Sequence, residues 1–140
     1  MFITLILSCT SLKFVKENYT PQLKFIYSQN VTINHEINGS GKIPILFLHG
    51  FGASLNSWND IKSRFPIDKY KLYLMDLKGH GFSSKLNTND YSIKEQTNIV
   101  LEFIKYHDLN DFILIGHSYG GGIAILTQLE LLNSLHFNIA

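Results

Sequence analysis

The chain has 140 residues, of which 45% are hydrophobic, and its 12 basic and 11 acidic residues leave a formal charge of +1. This length and apolar content are typical of one compact domain with its own core, and the near-neutral charge gives no field that would attract nucleic acid. The single cysteine, Cys9, excludes an internal disulfide framework and a cysteine-rich metal site. The six histidines lack the spacing of metal ligands, and no cofactor is predicted.

The first 21 residues differ from the rest. The apolar stretch Met1–Leu7 leads into Ser8 and Cys9, as at the end of a bacterial lipoprotein signal. However, no basic residue precedes it, and seven residues are few for the apolar part of a signal. Two interpretations stay open, a lipid anchor at Cys9 or a non-functional terminus with a free thiol, and the location stays open with them, cytoplasmic or membrane-anchored outside the cytoplasm. Residues 13–21 are predicted to be a polar tether, and residues 22–140 to be the domain.

Three strands are predicted next. The runs Leu23–Tyr27 and Val31–Ile37 have the composition of a β-hairpin. The run Ile43–Leu48 is almost continuously apolar, which is typical of a parallel strand covered on both faces. Open α/β sheets bind ligands at the carboxyl ends of such strands, so the Phe51 N–H is a candidate donor toward a ligand. The loop that leaves this strand consists of His49, Gly50, Phe51 and Gly52.

Two helices and one further strand are predicted between this loop and residue 111. Ser54 is expected to cap a helix that runs to about Arg64, with Trp58 and Ile61 on one face. The run Tyr70–Met75 is a further strand. Ser92 and Glu95 have the spacing of a capping box, and they predict an amphipathic helix that ends at about His107.

The loop after Met75 contains a carboxylate, Asp76, and an imidazole, His80. A carboxylate and an imidazole near a serine could be mistaken for its catalytic partners. We expect instead that Asp76 accepts hydrogen bonds from N–H groups of its own loop and that His80 lies at the rim of a cleft.

A second glycine-rich turn follows the last predicted strand, Phe112–Ile115. The sequence there is Gly116-His117-Ser118-Tyr119-Gly120, and an apolar segment of helix length continues to Leu135. Strand, turn and helix form the context that a G-x-S-x-G nucleophile elbow requires. The glycines are needed because the serine occupies a strained turn that leaves no room for a Cβ atom two residues before or after it. Ser118 is therefore the candidate nucleophile.

Three segments, the loop at His49–Gly52, the loop at 76–83 and the turn at 116–121, together resemble the α/β-hydrolase superfamily, in its single-domain serine hydrolase branch. The resemblance covers about residues 33–132, and Lys78 stands where the family usually has arginine. It implies a three-layer α/β/α, doubly wound fold with a mostly parallel sheet and an N-terminal antiparallel hairpin.

The resemblance also implies an activity, that of a serine esterase, lipase or thioesterase acting on a small-molecule ester or acyl substrate. Ser118 would be its nucleophile, and the N–H groups of Phe51 and Tyr119 would form the oxyanion hole. The pocket would be lined by His49, Gly50, Gly52 and His117.

In this family an acid and then a histidine follow the serine, and here the only candidates are Glu130 and His136. A helix rising about 1.5 Å per residue carries Glu130 about 18 Å from the turn, so neither residue is expected to serve. We therefore expect the N-terminal half of the fold, inactive or weakly active, whose last strand exposes an edge that can associate with other chains. An acyl-ligand-binding or complementing half-protein and a non-functional gene fragment are the alternatives.

Overall fold

The computed structural model describes residues 23–87 and 90–137. The predicted lipid anchor at Cys9 and the polar tether therefore lie outside the described residues. Within these ranges the chain forms five strands, one 3₁₀ helix and three α-helices. In chain order these are β1 (Leu23–Ser28), β2 (Val31–Asn38), β3 (Ile43–Leu48), the 3₁₀ helix (Leu55–Trp58), α1 (Asn59–Lys62), β4 (Tyr70–Met75), α2 (Ile93–Tyr106), β5 (Ile113–Gly116) and α3 (Tyr119–Phe137).

The strands form one mixed sheet in the order β1-β2-β4-β3-β5. β1 and β2 form the predicted antiparallel hairpin, and β2 also runs antiparallel to β4. β3 is parallel to both of its neighbours, β4 and β5. The predicted fold class, an α/β sheet with an N-terminal hairpin, is confirmed, and the parallel pairing is confined to β4, β3 and β5.

The core lies on both faces of this sheet. Leu46 and Leu48 of β3 belong to the larger cluster beneath α2 and α3, whereas Ile45 and Phe47 belong to a smaller one that includes residues of the 3₁₀ helix. All four side chains are buried, which explains why β3 lacks the alternating pattern of a half-exposed strand. Each such side chain contributes about 1.5–3 kcal/mol when it leaves water.

The predicted helix from Ser54 to Arg64 is wrong in length and in form. The chain instead makes a short 3₁₀ helix followed by four residues of α-helix, and the Ser54 side chain makes no capping hydrogen bond. A 3₁₀ helix has three residues per turn, so Leu55 and Trp58 point the same way, and both are buried. Ile61 is 42% exposed, although it was predicted to share the face of Trp58.

The helix α2 begins as predicted, because the Ser92 hydroxyl accepts a hydrogen bond from the Glu95 N–H at 3.2 Å. The reciprocal half of the capping box is replaced. The Ser92 N–H donates to the Asp90 carboxylate at 2.7 Å, and the Glu95 carboxylate pairs instead with Lys78. The capping pattern thus locates the helix start correctly and assigns the acidic side chain to the wrong partner.

The strand β5 lies at the edge of the sheet and pairs only with β3 in the part of the chain that the structure describes. Its first residue, Ile113, is 46% exposed. The helix α3 adds exposed apolar side chains, namely Ile125, Leu129 and Leu132. None of the described helices combines the length and the apolar character needed to cross a membrane.

Two histidines lie against Phe103 of the larger core cluster. The rings of His35 on β2 and His107 at the end of α2 have centroids 5.1 Å apart, and the tilted Phe103 ring packs against His107 at 4.4 Å. Burial lowers the pKa of His107 to about 4, and the nearby charges of His35 and Lys71 act in the same direction. Burial also lowers the pKa of His35. The folded state therefore favours both imidazoles in the neutral form.

This histidine pair predicts a loss of stability in mild acid. The unfolded chain takes up a proton on His107 near pH 6.5, whereas the folded chain does so only near pH 4. The free energy of unfolding should therefore be highest above pH 6.5 and fall as the pH drops through this window. Urea unfolding of the wild type and of His107→Phe at pH 7 and pH 5 checks this, and the variant should lose less stability. An equal loss in both proteins would contradict the prediction.

Candidate active site

The three parallel strands bring three loops to one edge of the sheet. Leu48 at the end of β3 is in register with Met75 at the end of β4 and with Gly116 at the end of β5. The loops containing His49, Asp76 and Ser118 therefore start side by side. The His117 N–H donates to the Leu48 carbonyl at 3.0 Å and ties the first and last of these loops together.

Ser118 lies in a tight turn between β5 and α3. Its φ of 52° is in the left-handed region, which costs a non-glycine residue about 1 kcal/mol or more. The N–H groups of Gly121 and Gly122 donate to its carbonyl at 2.9 and 3.2 Å, so the first turn of the helix holds the conformation. The residue is exposed, and no described side chain hydrogen-bonds its hydroxyl.

The two glycines that flank this turn have no room for a side chain. A Cβ atom on Gly116 would lie 2.3 Å from the Gly120 carbonyl oxygen, and one on Gly120 would lie 2.3 Å from the Leu48 carbonyl oxygen. Real Cβ atoms do not approach backbone so closely. The helix α3 therefore starts in direct backbone contact with the end of β3, as the small residues at its start indicate.

The loop after β3 lies against the serine turn. The Phe51 ring is 80% exposed, and its centroid is 6.0 Å from that of Tyr119. A Cβ atom on Gly50 would lie 2.9 Å from the His117 ring, so this loop is in close contact with the serine turn. Gly52 is in the left-handed region with φ 71°. Neither the Phe51 nor the Tyr119 N–H donates to another described residue, so both remain available.

His49 is fully buried, and both of its ring nitrogens are engaged. Nδ1 lies 2.8 Å from the Gly50 carbonyl oxygen, and Nε2 accepts the Leu77 N–H at 3.0 Å. Burial lowers the pKa of this imidazole. The side chain that was predicted to line the pocket thus joins the loops after β3 and β4.

The His80 ring, from the loop after β4, lies against the loop after β3, as predicted for a rim residue. Its ring centroid is 5.2 Å from that of His49, 5.6 Å from Phe51 and 6.4 Å from Tyr119. The side chain is half-buried, and Nδ1 lies 3.2 Å from the Lys78 carbonyl oxygen. The rings of His80, Phe51 and Tyr119 therefore lie together next to Ser118, and the buried His49 packs against His80.

Asp76 is fully buried, and its carboxylate accepts hydrogen bonds from three segments of the chain. The Phe82 N–H of its own loop donates at 2.9 Å, which confirms the expectation from the sequence. The Leu55 N–H at 2.7 Å and the Asn34 side chain at 2.9 Å also donate, and no sequence pattern indicated either. A Cβ atom on Gly81 would lie 2.1 Å from this carboxylate, so the loop closes tightly around it.

A second polar network, which no sequence pattern indicated, reaches the site from α2. The buried Lys78 ammonium donates to the Glu95 carboxylate at 3.1 Å and to the Asp90 carbonyl at 2.9 Å. The Tyr119 hydroxyl donates to the Tyr91 carbonyl at 2.7 Å. Burial raises the pKa of this phenol, and the nearby Asp90 adds to the effect, so Tyr119 remains a donor at neutral pH. The residue after Ser118 is thereby anchored through its side chain.

Glu130 does not approach the serine turn, as predicted. Its carboxylate forms an ion pair with Lys94 on α2, on the outside of the helix pair. The backbone of His136 continues α3, and its side chain lies outside the described residues. In the described ranges no three His, Cys, Asp or Glu side chains are grouped so that they could hold a metal ion.

Comparison with known proteins gives one consistent family. The sequence pattern of the alpha/beta hydrolase fold matches residues 43–128. A Mycoplasma genitalium protein named as a candidate esterase/lipase is 37% identical over 87 residues, which is 62% of this chain and 32% of that protein. The chain thus spans about a third of the length of the curated relatives that it matches.

Solved structures show the same fold. An esterase from Exiguobacterium antarcticum has a TM-score of 0.66 and 31% identity, with 71% of this chain and 36% of that one covered. A Pseudomonas aeruginosa protein named as a candidate epoxide hydrolase has a TM-score of 0.67 and 28% identity, with 77% and 36% covered. Both similarities involve only part of the longer protein.

The close contact between α3 and β3 predicts opposite effects for two glycine substitutions. Gly120→Ala places a methyl group against the Leu48 carbonyl and should lower the free energy of unfolding by about 3 kcal/mol or more. Gly122→Ala is the control, because its nearest neighbour is a flexible Ile93 methyl at 3.6 Å. It should leave stability unchanged or raise it by up to about 1 kcal/mol through helix propensity. Chemical denaturation measures both, and equal effects would contradict the described packing.

Proposed function

Because the chain belongs to the α/β-hydrolase fold family, we propose that the turn at Ser118 is the nucleophile elbow of a serine hydrolase that acts on small-molecule esters. One observation carries the proposal. An exposed serine is held in the left-handed conformation between a parallel strand and a helix. Neither Gly116 before it nor Gly120 after it has room for a side chain. Such strain persists only where surrounding structure enforces it, and it is concentrated at functional sites.

In the proposed reaction the Ser118 Oγ attacks the carbonyl carbon of an ester. The electron pair of the C=O bond moves to the carbonyl oxygen, and the N–H groups of Phe51 and Tyr119 donate to the resulting oxyanion. When the intermediate collapses, the alcohol leaves with the proton that Ser118 released, and an acyl-serine remains. Water then cleaves this ester and regenerates the serine. Tyr119 is also the first residue of α3, and its N–H needs no partner within the helix.

No described side chain hydrogen-bonds the Ser118 hydroxyl, so none is placed as its base in this structure. Both nitrogens of His49 are engaged in the loop contacts, and Glu130 is paired with Lys94. We therefore propose that the histidine and the acid come from a segment outside residues 23–87 and 90–137. The described residues alone would retain only the weak catalysis that an oxyanion hole and binding give without a base.

A second candidate function, as one half of a complementing pair, is favoured by the open edge of β5. Ile113 on this edge is 46% exposed, and the exposed apolar side chains of α3 lie next to it in the chain order. A segment that adds a strand there would cover apolar surface and pair free backbone groups. In this interpretation the serine and the oxyanion donors come from one segment and the base from the other.

The nucleophile favours acyl transfer over epoxide opening, although one structural relative is named as an epoxide hydrolase. A serine that opened an epoxide would be left as an ether, which water does not cleave under these conditions. A carboxylate nucleophile would instead leave an ester, which water can hydrolyse. Residue 118 is a serine, so only the acyl route returns the free enzyme.

A fluorophosphonate probe tests the proposed nucleophile directly, because it phosphonylates activated serines covalently. We expect slow labelling of the wild-type chain, because the oxyanion donors act there without a base, and complete loss of labelling in Ser118→Ala. Ser63→Ala is the matched control, because Ser63 is also exposed but bonds only to the Asp60 carbonyl, and its labelling should equal that of the wild type. The absence of labelling in the wild type, or persistent labelling in Ser118→Ala, would contradict the proposal.

A further inference from the structure

We propose that His49 is a positioning residue that aims the Phe51 N–H at the oxyanion, and that it does so only as the neutral tautomer with the proton on Nδ1. This inference rests on the proposed function, because it assigns a role in the same site. It concerns a buried side chain that touches neither substrate nor Ser118 in the proposed reaction.

The contacts of the ring define the tautomer. The Leu77 N–H, 3.0 Å from Nε2, can only donate a hydrogen bond, so Nε2 must carry a lone pair. The Gly50 carbonyl, 2.8 Å from Nδ1, can only accept, so Nδ1 must carry the proton. The hydrogen positions follow from the two backbone partners, and the opposite tautomer would break both bonds.

The bond to Gly50 fixes the direction of the next N–H. The Gly50 carbonyl and the Phe51 N–H belong to one planar peptide group and point in opposite directions. The hydrogen bond from His49 Nδ1–H therefore fixes the orientation of the Gly50–Phe51 peptide group, and the Phe51 N–H points away from the His49 ring. The Ala53 N–H donates to the same carbonyl at 3.2 Å, so the carbonyl is held by two donors while the Phe51 N–H has no partner among the described residues.

The second bond ties this peptide to the neighbouring strand. Leu77 follows the end of β4, and its N–H can donate to Nε2 only while that nitrogen is unprotonated. Protonation would place two N–H groups against each other and release the ring from the β4 loop. The titratable groups that face His49 are His80, whose charge opposes protonation, and Asp76, whose charge favours it, and burial of the ring has the largest effect.

Two amide substitutions separate the two bonds. His49→Asn places an N–H near the position of Nδ1 and keeps a donor for Gly50, whereas His49→Gln places an oxygen near Nε2 and keeps an acceptor for Leu77. Each variant loses one buried hydrogen bond, so their stabilities should be similar. We expect the rate of fluorophosphonate labelling at Ser118 to fall about threefold in His49→Asn and about 30-fold in His49→Gln, a fraction of the effect of removing an oxyanion donor. Equal losses in the two variants, or a larger loss in His49→Asn, would overturn the proposal.

A measurement that does not depend on the reaction of Ser118 keeps this inference separate from the proposed function. Long-range ¹H–¹⁵N NMR on the wild-type chain should show His49 protonated at Nδ1 at neutral pH, and the Phe51 amide signal should shift in His49→Gln more than in His49→Asn. A proton on Nε2, or an unchanged Phe51 amide in His49→Gln, would overturn the positioning role even if Ser118 is labelled. If Ser118 is not labelled and the NMR results are as expected, the proposed reaction fails while the peptide geometry stands.

Discussion

The site depends on one buried carboxylate. Asp76 has no exposed surface, and it accepts hydrogen bonds from Leu55, Phe82 and Asn34, which lie in three separate segments of the chain. A buried carboxylate is tolerated only when such donors satisfy it. Moving any of these segments away would leave the carboxylate without a hydrogen-bond donor, so the three segments stay together. The loop after β3 and the loop after β4 therefore behave as one unit, to which His49 adds a second link.

The sequence was sufficient where local pattern decides structure. The bounds of β3 and β4, the start of α2 and the strand, turn and helix around Ser118 follow from apolar runs, a capping serine and paired glycines. It failed between Ser54 and Arg64, where a spacing of three residues suits both an α-helix and a 3₁₀ helix. The structure shows the shorter element, with Leu55 and Trp58 on its buried side.

The sequence did not predict most of the polar contacts in the site. His49 bonds to Leu77, and Lys78 pairs with Glu95. The two residues of each pair are far apart in the chain, and the periodicity of apolar residues does not predict such contacts. Periodicity indicates which face of an element is apolar, whereas these bonds depend on how loops from different strands are placed once the sheet has formed. The resemblance to a family suggested Phe51 and Tyr119 as the proposed oxyanion donors, and the structure supplied the contacts from which the role of His49 is inferred.

The pairing of β5 with β3 has a consequence for the time course of folding. Leu48 and Gly116 are adjacent in the sheet but far apart in the chain, and β4 and α2 lie between them. Parallel pairing across such a separation must close a long loop before it gains contacts, which makes it slow relative to a hairpin such as β1 and β2. On a chain that emerges from the ribosome from its amino end, the hairpin, β3 and β4 precede the last strand. Ser118 therefore reaches its place only after most of the sheet exists, and newly made chains pass through a period in which the edge of β3 is bare.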